Sequence, residues 1–153
     1  MTLTPSEKAE LAQSINVHTK SRPLDPIVVA ERLRILVNES GSAQAVARMF
    51  GLKNDTMIRR FLSILALPDT VRALIGWGGT REHKIGVDMA YRISTLSNDA
   101  EMNSMAKIII NSEVRGRPIT KKEVQSIIAF RRKNPELGLE DCAAKILKSG
   151  QVG

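Results

Sequence analysis

Signals that start and stop helices recur along this chain and constrain its fold more than any other feature. Thr4-Pro5-Ser6-Glu7 and Thr120-Lys121-Lys122-Glu123 are capping boxes, in which a hydroxyl and a carboxylate bond the first free amides of a helix. Asp25-Pro26 starts another helix and Ser40-Gly41 ends it. Between these signals the apolar residues recur at helical spacing, and no segment has a convincing strand pattern. We predict an all-α, multi-helix fold with helices over about residues 5–14, 26–40, 42–50, 54–65, 69–75, 86–96, 99–112, 120–133 and 139–148.

The composition agrees with a helical protein of ordinary domain size. Of the 153 residues, 42% are hydrophobic and only 3% are aromatic, which disfavours a sheet and leaves few rings to stack on single-stranded bases. Cys142 is the only cysteine, so no disulfide can form within the chain. The N-terminal residues are too polar for a signal peptide, and no apolar run is long enough to span a membrane. The sequence therefore predicts a cytoplasmic protein.

The positive charge is concentrated in two segments. The chain has a formal net charge of +7, yet residues 1–40 carry five basic and five acidic side chains. Residues 41–65 carry four basic and one acidic side chain, and residues 115–133 carry seven and one. Such concentration suits a polyanionic partner, although a solvated basic face explains the charge alone equally well.

The segment from residue 42 to residue 65 has the spacing of a helix-turn-helix. Ala47 is the small residue that allows two helices to cross closely, and Gly51, four positions later, tolerates the sharp turn. The second helix has an apolar stripe at i, i+3, i+4 and i+7, formed by Ile58, Phe61, Leu62 and Leu65. The turn is one residue longer than in the commonest form, because Ile58 rather than Met57 must point inward. A helical hairpin that binds nothing is the alternative.

The outward face of the second helix carries small polar groups and two arginines. Arginine can bond two acceptors of guanine in the major groove, while smaller polar groups reach other base edges. Asn54 or Asp55 is expected to cap this helix, and the free amides that follow Ser42 could hold a phosphate. The predicted DNA-binding residues are Ser42, Gln44, Lys53, Asn54, Asp55, Thr56, Arg59, Arg60 and Ser63.

An ordered series of segments resembles the central DNA-binding domain of ParB-type partition proteins, the ParB/KorB fold. The series comprises residues 46–51, residues 58–71 with Leu67-Pro68 closing a leucine-rich run, residues 84–90, residues 106–109 and residues 119–124. The resemblance covers about residues 26–133 and implies that residues 53–60 face DNA. It also implies that the residues after Lys84 and the basic helix from Lys121 support the DNA-binding helix. The candidate phosphate contacts are Arg48, Arg115, Arg117, Lys121 and Lys122.

We expect two features of that family to be absent from this protein. ParB proteins have an N-terminal CTP-binding domain with a Gly-Glu-Arg-Arg motif, whereas Glu31-Arg32-Leu33-Arg34 has no glycine and falls within a predicted helix. We therefore expect no nucleotide cofactor. We also expect the family's C-terminal dimerisation domain to be absent. The predicted organisation is an N-terminal helix and connector (1–24), a ParB-like domain (25–133) and a C-terminal helix (134–153).

Other candidate sites are weaker. His18 and His83 lack metal-ligand spacing with each other or with Cys142, and Gly76-Trp77-Gly78-Gly79 has neither the preceding strand nor the lysine of a phosphate-binding loop. Neither a metal site nor an enzyme is expected, and Trp77 and Cys142 are expected to be half-buried and buried respectively.

The functional hypothesis from the sequence is a sequence-specific protein for double-stranded DNA. It would act in plasmid or chromosome partition or in transcriptional regulation, as a homodimer associated with the nucleoid or a plasmid and with a partition ATPase or another protein as a further partner. Two alternatives remain open. One is a helical adaptor that binds an acidic protein, and the other is a nonspecific nucleoid or RNA binder.

Overall fold

The computed structural model describes residues 2–15, 23–77, 85–111, 113–114 and 117–152. These residues form two compact units, Met1–Ala66 and Leu67–Gly153. Within them the α-helices are α1 (Pro5–Ile15), α2 (Pro26–Ser40), α3 (Ala43–Met49), α4 (Thr56–Ser63), α5 (Asp69–Arg72), α6 (Val87–Ser94), α7 (Asp99–Asn111), α8 (Lys121–Lys133) and α9 (Leu139–Val152). A 3-10 turn, Ile64–Ala66, follows α4. The prediction of an all-α protein is confirmed for the described part of the chain.

The first unit is built around α2, against which α1, α3 and α4 all pack. The N-terminal capping box of α1 is confirmed, because the Thr4 amide donates to the Glu7 carboxylate at 2.9 Å and the Glu7 amide donates to the Thr4 hydroxyl at 3.1 Å. The Arg32 guanidinium joins α2 to α1 by donating to the Glu7 carbonyl at 3.1 Å and to the Glu10 carboxylate at 3.2 Å. The largest fully buried side chains of this unit are Leu11, Val29, Leu33, Leu36, Val46, Ile58 and Ile64.

Both ends of α2 lie where the sequence predicts them. The Asp25 carboxylate accepts from the Ile27 amide at 2.9 Å, and Pro26 occupies the first helical position, where an amide would lack a partner. At the other end Gly41 has a φ of +91°, and its amide donates to the Val37 carbonyl at 2.8 Å. Because side chains with a Cβ rarely adopt this conformation, the glycine fixes where α2 stops.

The second unit has its core among α6, α7, α8 and α9. The predicted capping box of α8 is confirmed, since the Thr120 hydroxyl accepts from the Glu123 amide while the Glu123 carboxylate accepts from the Thr120 amide. The Arg131 guanidinium links α8 to α7 by donating to the Glu101 carboxylate at 2.9 Å. Cys142 on α9 is fully buried, as predicted, and this burial raises the pKa of its thiol.

Two stretches of the second unit differ from the prediction. The helix expected over 69–75 ends at Arg72, because Ile75 instead forms an isolated parallel bridge with Ile85. The Gly76 amide donates to the Ile85 carbonyl at 3.0 Å. This hydrogen bond satisfies a backbone amide that would have bonded within the helix if the helix had continued. The second difference is an antiparallel pair of two-residue strands, β1 (Glu113–Val114) and β2 (Arg117–Pro118), where no strand was predicted.

The remaining predicted elements differ by small amounts. Helix α4 begins two residues later than expected and passes into the 3-10 turn, while α9 continues to Val152. No helix among the described residues is long and apolar enough to cross a membrane. The predicted domain bounds stay a prediction, since compactness alone does not define a functional domain.

Candidate nucleic-acid interface

The turn between α3 and α4 is set by a glycine. Gly51 has a φ of +71°, its amide donates to the Arg48 carbonyl at 3.1 Å, and the next amide, that of Leu52, donates to the Ala47 carbonyl at 2.9 Å. This pair of bonds is the Schellman arrangement, which satisfies the last carbonyls of a helix and needs a left-handed residue. Gly51 therefore ends α3 and turns the chain towards α4. The side chain of Ala47 is buried, as the close crossing of two helices requires.

The apolar stripe of α4 lies inward. Ile58 is fully buried, and Phe61 and Ile64 are also buried, while Met57 is half-buried. The stripe packs against α2 and α3. The prediction that Ile58 rather than Met57 is the inward residue after the turn is thus confirmed, and the spacing of the remaining residues along α4 follows from it. Leu62 and Leu65, predicted in the same stripe, are half-buried.

The opposite face of α4 carries polar residues. Thr56, Arg59, Arg60 and Ser63 recur at spacings of three and four, so they share one side of the helix. Thr56 is exposed, and the Arg59 side chain is 72% exposed, which makes it the most accessible cation of this helix. Arg60 is half-buried. Ser63 is also half-buried and donates its hydroxyl proton to the Arg60 carbonyl at 2.6 Å.

The two candidate caps of α4 have different roles. The Asn54 side-chain oxygen accepts from the Thr56 amide at 3.0 Å, so Asn54 bonds one of the first free amides of the helix. The Asp55 side chain makes no capping bond. Instead its Oδ2 accepts from the Arg59 Nε at 2.7 Å, one helical turn further on. This ion pair holds the guanidinium of Arg59 against the start of α4.

The other predicted residues of this unit lie on α3 and in the turn. Gln44 and Arg48 are exposed one helical turn apart on α3, and Lys53 is exposed in the turn. Ser42 is exposed, but its hydroxyl accepts from the Ala45 amide at 3.1 Å and so caps α3. We call Gln44, Arg48, Lys53, Thr56 and Arg59 the exposed polar set of the α3–α4 pair. The segment that contains this set has a net charge of +3.

The second basic segment belongs to the other compact unit. Lys121 and Lys122 are exposed in the first turn of α8, and the Lys121 ammonium lies 3.4 Å from the Asp88 carboxylate of α6. Arg117 pairs through its backbone with Val114 in the short hairpin. Arg115 lies outside the described residues. The described geometry therefore places Lys121 and Lys122 side by side but does not bear on the two arginines as phosphate contacts.

The remaining candidate sites of the sequence are for a metal ion and for a nucleotide. The described residues contain no group of three or more histidine, cysteine or carboxylate side chains that could hold a metal ion. His18 and His83 lie outside the described residues, as do residues 78–84, while the Trp77 side chain is half-buried as predicted. Glu31-Arg32-Leu33-Arg34 lies in the middle of α2, where Arg32 is committed to α1.

No family model, curated protein or solved structure matches this chain. The residues of the α3–α4 pair must therefore be interpreted from their own geometry. The Asp55–Arg59 ion pair was not predicted from the sequence. The spacing of an acidic and a basic residue at i, i+4 was the signal that could have revealed it.

Proposed function

We propose that the protein binds double-stranded DNA sequence-specifically, with α3 and α4 acting as a helix-turn-helix and α4 lying in the major groove. The observation that carries the proposal is the two-sidedness of α4. One side is buried against α2 and α3, and the other presents the 72% exposed Arg59 together with Thr56. A helix anchored in this way can place its exposed side chains against base edges without leaving the unit to which it belongs.

The charges around α4 suit a polyanionic partner such as DNA. Arg48 on α3 and Lys53 in the turn are exposed, and the segment of residues 41–65 contains a single acidic residue, which is already paired with Arg59. In the proposal Arg48 and Lys53 contact phosphates and position the helix, while Arg59 and Thr56 contact bases. Arg48 and Lys53 thus supply affinity for any duplex, and Arg59 and Thr56 supply the preference for particular base pairs.

The biological setting proposed here rests on the ordered resemblance to the ParB-type DNA-binding domain. The protein would act at a specific DNA site in plasmid or chromosome partition or in transcriptional control. A homodimer would place one α4 in each half of an inverted repeat, with half-sites one or more helical turns apart. Lys121 and Lys122 would supply further phosphate contacts. A partition ATPase is the protein partner that this setting implies.

The proposal is tested by selecting bound duplexes from a random pool and measuring affinity for the selected duplex at several salt concentrations. We expect an enriched inverted repeat, and an affinity that falls by about 0.9 logarithmic units per logarithmic unit of salt for each phosphate contact. Arg59→Ala should weaken binding to the selected duplex by about 1–3 kcal/mol and relax one base preference. Lys53→Ala should weaken binding to all sequences alike and reduce the salt slope by about one.

Arg34→Ala is the matched control, because Arg34 is an exposed arginine of the same unit that lies on α2, outside the α3–α4 pair. It removes the same charge as Arg59→Ala and should leave the base preference unchanged. Equal affinity for all duplexes would overturn the sequence-specific function. If Arg59→Ala and Arg34→Ala bound the selected duplex as the parent does, α4 would not be the DNA-binding helix.

A further inference from the structure

Asp55 is an acidic residue on a surface that is otherwise basic. It is the only acidic side chain between residues 41 and 65, and it lies at the start of the helix that we propose to contact DNA. A carboxylate facing phosphates is repelled by them, so its presence there calls for a physical reason. The positive end of the helix dipole favours a carboxylate at this position. A capping bond does not account for it, because the side chain of Asn54 bonds the Thr56 amide and that of Asp55 bonds no amide of α4.

What the carboxylate does bond is the Arg59 guanidinium. The Asp55 Oδ2 lies 2.7 Å from the Arg59 Nε, which is the short distance typical of a charge-assisted hydrogen bond. The Asp55 side chain is 23% exposed, whereas that of Arg59 is 72% exposed. The Asp55 carboxylate is therefore partly enclosed by the protein, while the Arg59 guanidinium extends into solvent.

The atom used in this bond matters for what Arg59 can still do. A guanidinium has five N–H donors, and the Nε donor is the one that points back along the side chain. With Nε bonded to Asp55, the two terminal nitrogens, Nη1 and Nη2, keep their donors for an external partner. Two parallel donors in one plane match the O6 and N7 acceptors of guanine in the major groove.

Pairing also reduces the freedom of a long side chain. An arginine has four rotatable bonds and loses much of its conformational entropy when a ligand immobilises it. An arginine that a neighbouring carboxylate already holds loses less conformational entropy on binding, and its remaining N–H donors point in a fixed direction. The same pairing neutralises the carboxylate, which removes much of its repulsion by phosphates.

We propose that Asp55 is a positioning residue that fixes Arg59 to recognise one guanine, so that each half of the DNA site contains a G·C pair opposite Arg59. This inference rests on the proposed DNA-binding function and specifies it. Arg59 makes the base contact, and Asp55 acts on specificity through Arg59. Overall affinity is set elsewhere, by the cations that contact phosphates.

The test compares binding to the selected duplex with binding to duplexes in which each base pair is changed in turn. For the parent we expect one G·C position whose replacement by A·T weakens binding by about 5- to 150-fold, the discrimination of a bidentate arginine–guanine contact. Asp55→Ala should lower the discrimination at that position towards the value for Arg59→Ala, because Arg59 is then no longer held by a carboxylate. Arg59→Lys should reduce the discrimination even with Asp55 present, because an ammonium lacks the planar pair of parallel donors that a guanidinium presents.

Asp69→Ala provides the matched control, because Asp69 forms an ion pair with Arg72 one helical turn away in the second unit. It removes the same charge and a similar pair but should not change any base preference. A double variant, Asp55→Ala with Arg59→Ala, should discriminate between base pairs to the same extent as Arg59→Ala alone, since Asp55 acts only through Arg59. Circular dichroism of each variant establishes that the helices are retained.

Two failures can be told apart. If the parent binds no duplex, the proposed function fails and this inference fails with it. If the parent binds and discriminates, but Asp55→Ala leaves the preference at every position unchanged, the function stands and the positioning role of Asp55 is wrong. A loss of affinity that is equal for all duplexes would also contradict it, because that result is typical of a structural role.

Discussion

Replacing Ile58 by alanine tests the packing of α4, on which the assignment of its inward and outward faces depends. Ile58 is fully buried between α4 and its neighbours. The substitution removes three carbon atoms, which at about 0.8 kcal/mol for each buried methylene amounts to about 2.4 kcal/mol. Incomplete collapse of the cavity adds to this value, so we expect a destabilisation of about 3 kcal/mol. Met57→Ala is the comparison, and because Met57 is only half-buried it should cost about 1 kcal/mol.

Urea unfolding followed by far-ultraviolet circular dichroism measures this difference. With a denaturant dependence of about 1–3 kcal/mol per molar urea, a loss of 3 kcal/mol lowers the midpoint of unfolding by about 1 M or more. Ile58→Val, expected to cost about 1 kcal/mol, keeps the comparison possible if the alanine variant does not fold. A larger loss of stability for Met57→Ala than for Ile58→Ala would show that Ile58 is not the inward residue of α4. The outward face of α4 would then be rotated by about 100°, the angle between successive residues.

Other predictions concern helix ends and titrating groups. Gly51→Ala should cost about 1–2 kcal/mol of unfolding free energy because its φ is +71°, whereas Gly138→Ala, at a φ outside the left-handed region, should not. Thr120→Ala should cost about 1 kcal/mol in the same assay by removing a cap. Hydrogen bonds from the Thr4 backbone and side chain lower the pKa of Glu7. The Glu7 carboxylate therefore contributes its full stabilisation above the unfolded pKa of 4.5 and loses it as the pH falls through the folded pKa. In Glu7→Gln the urea midpoint of unfolding should lack this pH dependence. Burial raises the pKa of Cys142, so native protein should resist alkylation that unfolded protein undergoes.

Local interactions were the part of the fold that the sequence predicted best. The capping boxes at Thr4 and Thr120 formed as expected, because their partners lie within one turn and depend on no distant residue. The inward position of Ile58 was also predictable, since the spacing of apolar residues along a helix fixes which of them share a face.

The errors arose where distant residues compete with local preference. The helix from Asp69 was expected to reach Ile75, but Ile75 instead pairs with Ile85, ten positions away. Nothing in the sequence around Ile75 reports that partner. The strands at 113–114 and 117–118 were missed for a related reason, because two-residue strands are too short to show alternation.

The sequence predicted which residues belong to the candidate site better than it predicted the hydrogen bonds between them. Thr56 and Arg59 were expected to face outward, and both are exposed. The spacing alone left the cap of α4 undecided between Asn54 and Asp55. The structure assigns it to Asn54 and pairs Asp55 with Arg59, a choice that depends on side-chain rotamers as well as on sequence position.

We propose that the outward face of α4 contacts DNA. Following the backbone amide resonances of the protein as the selected duplex is added tests this contact residue by residue. We predict the largest changes in chemical shift at residues 53–63, smaller ones on α3, and almost none on α1. A titration in which the resonances of α4 stay in place while those of other helices move would contradict the claim.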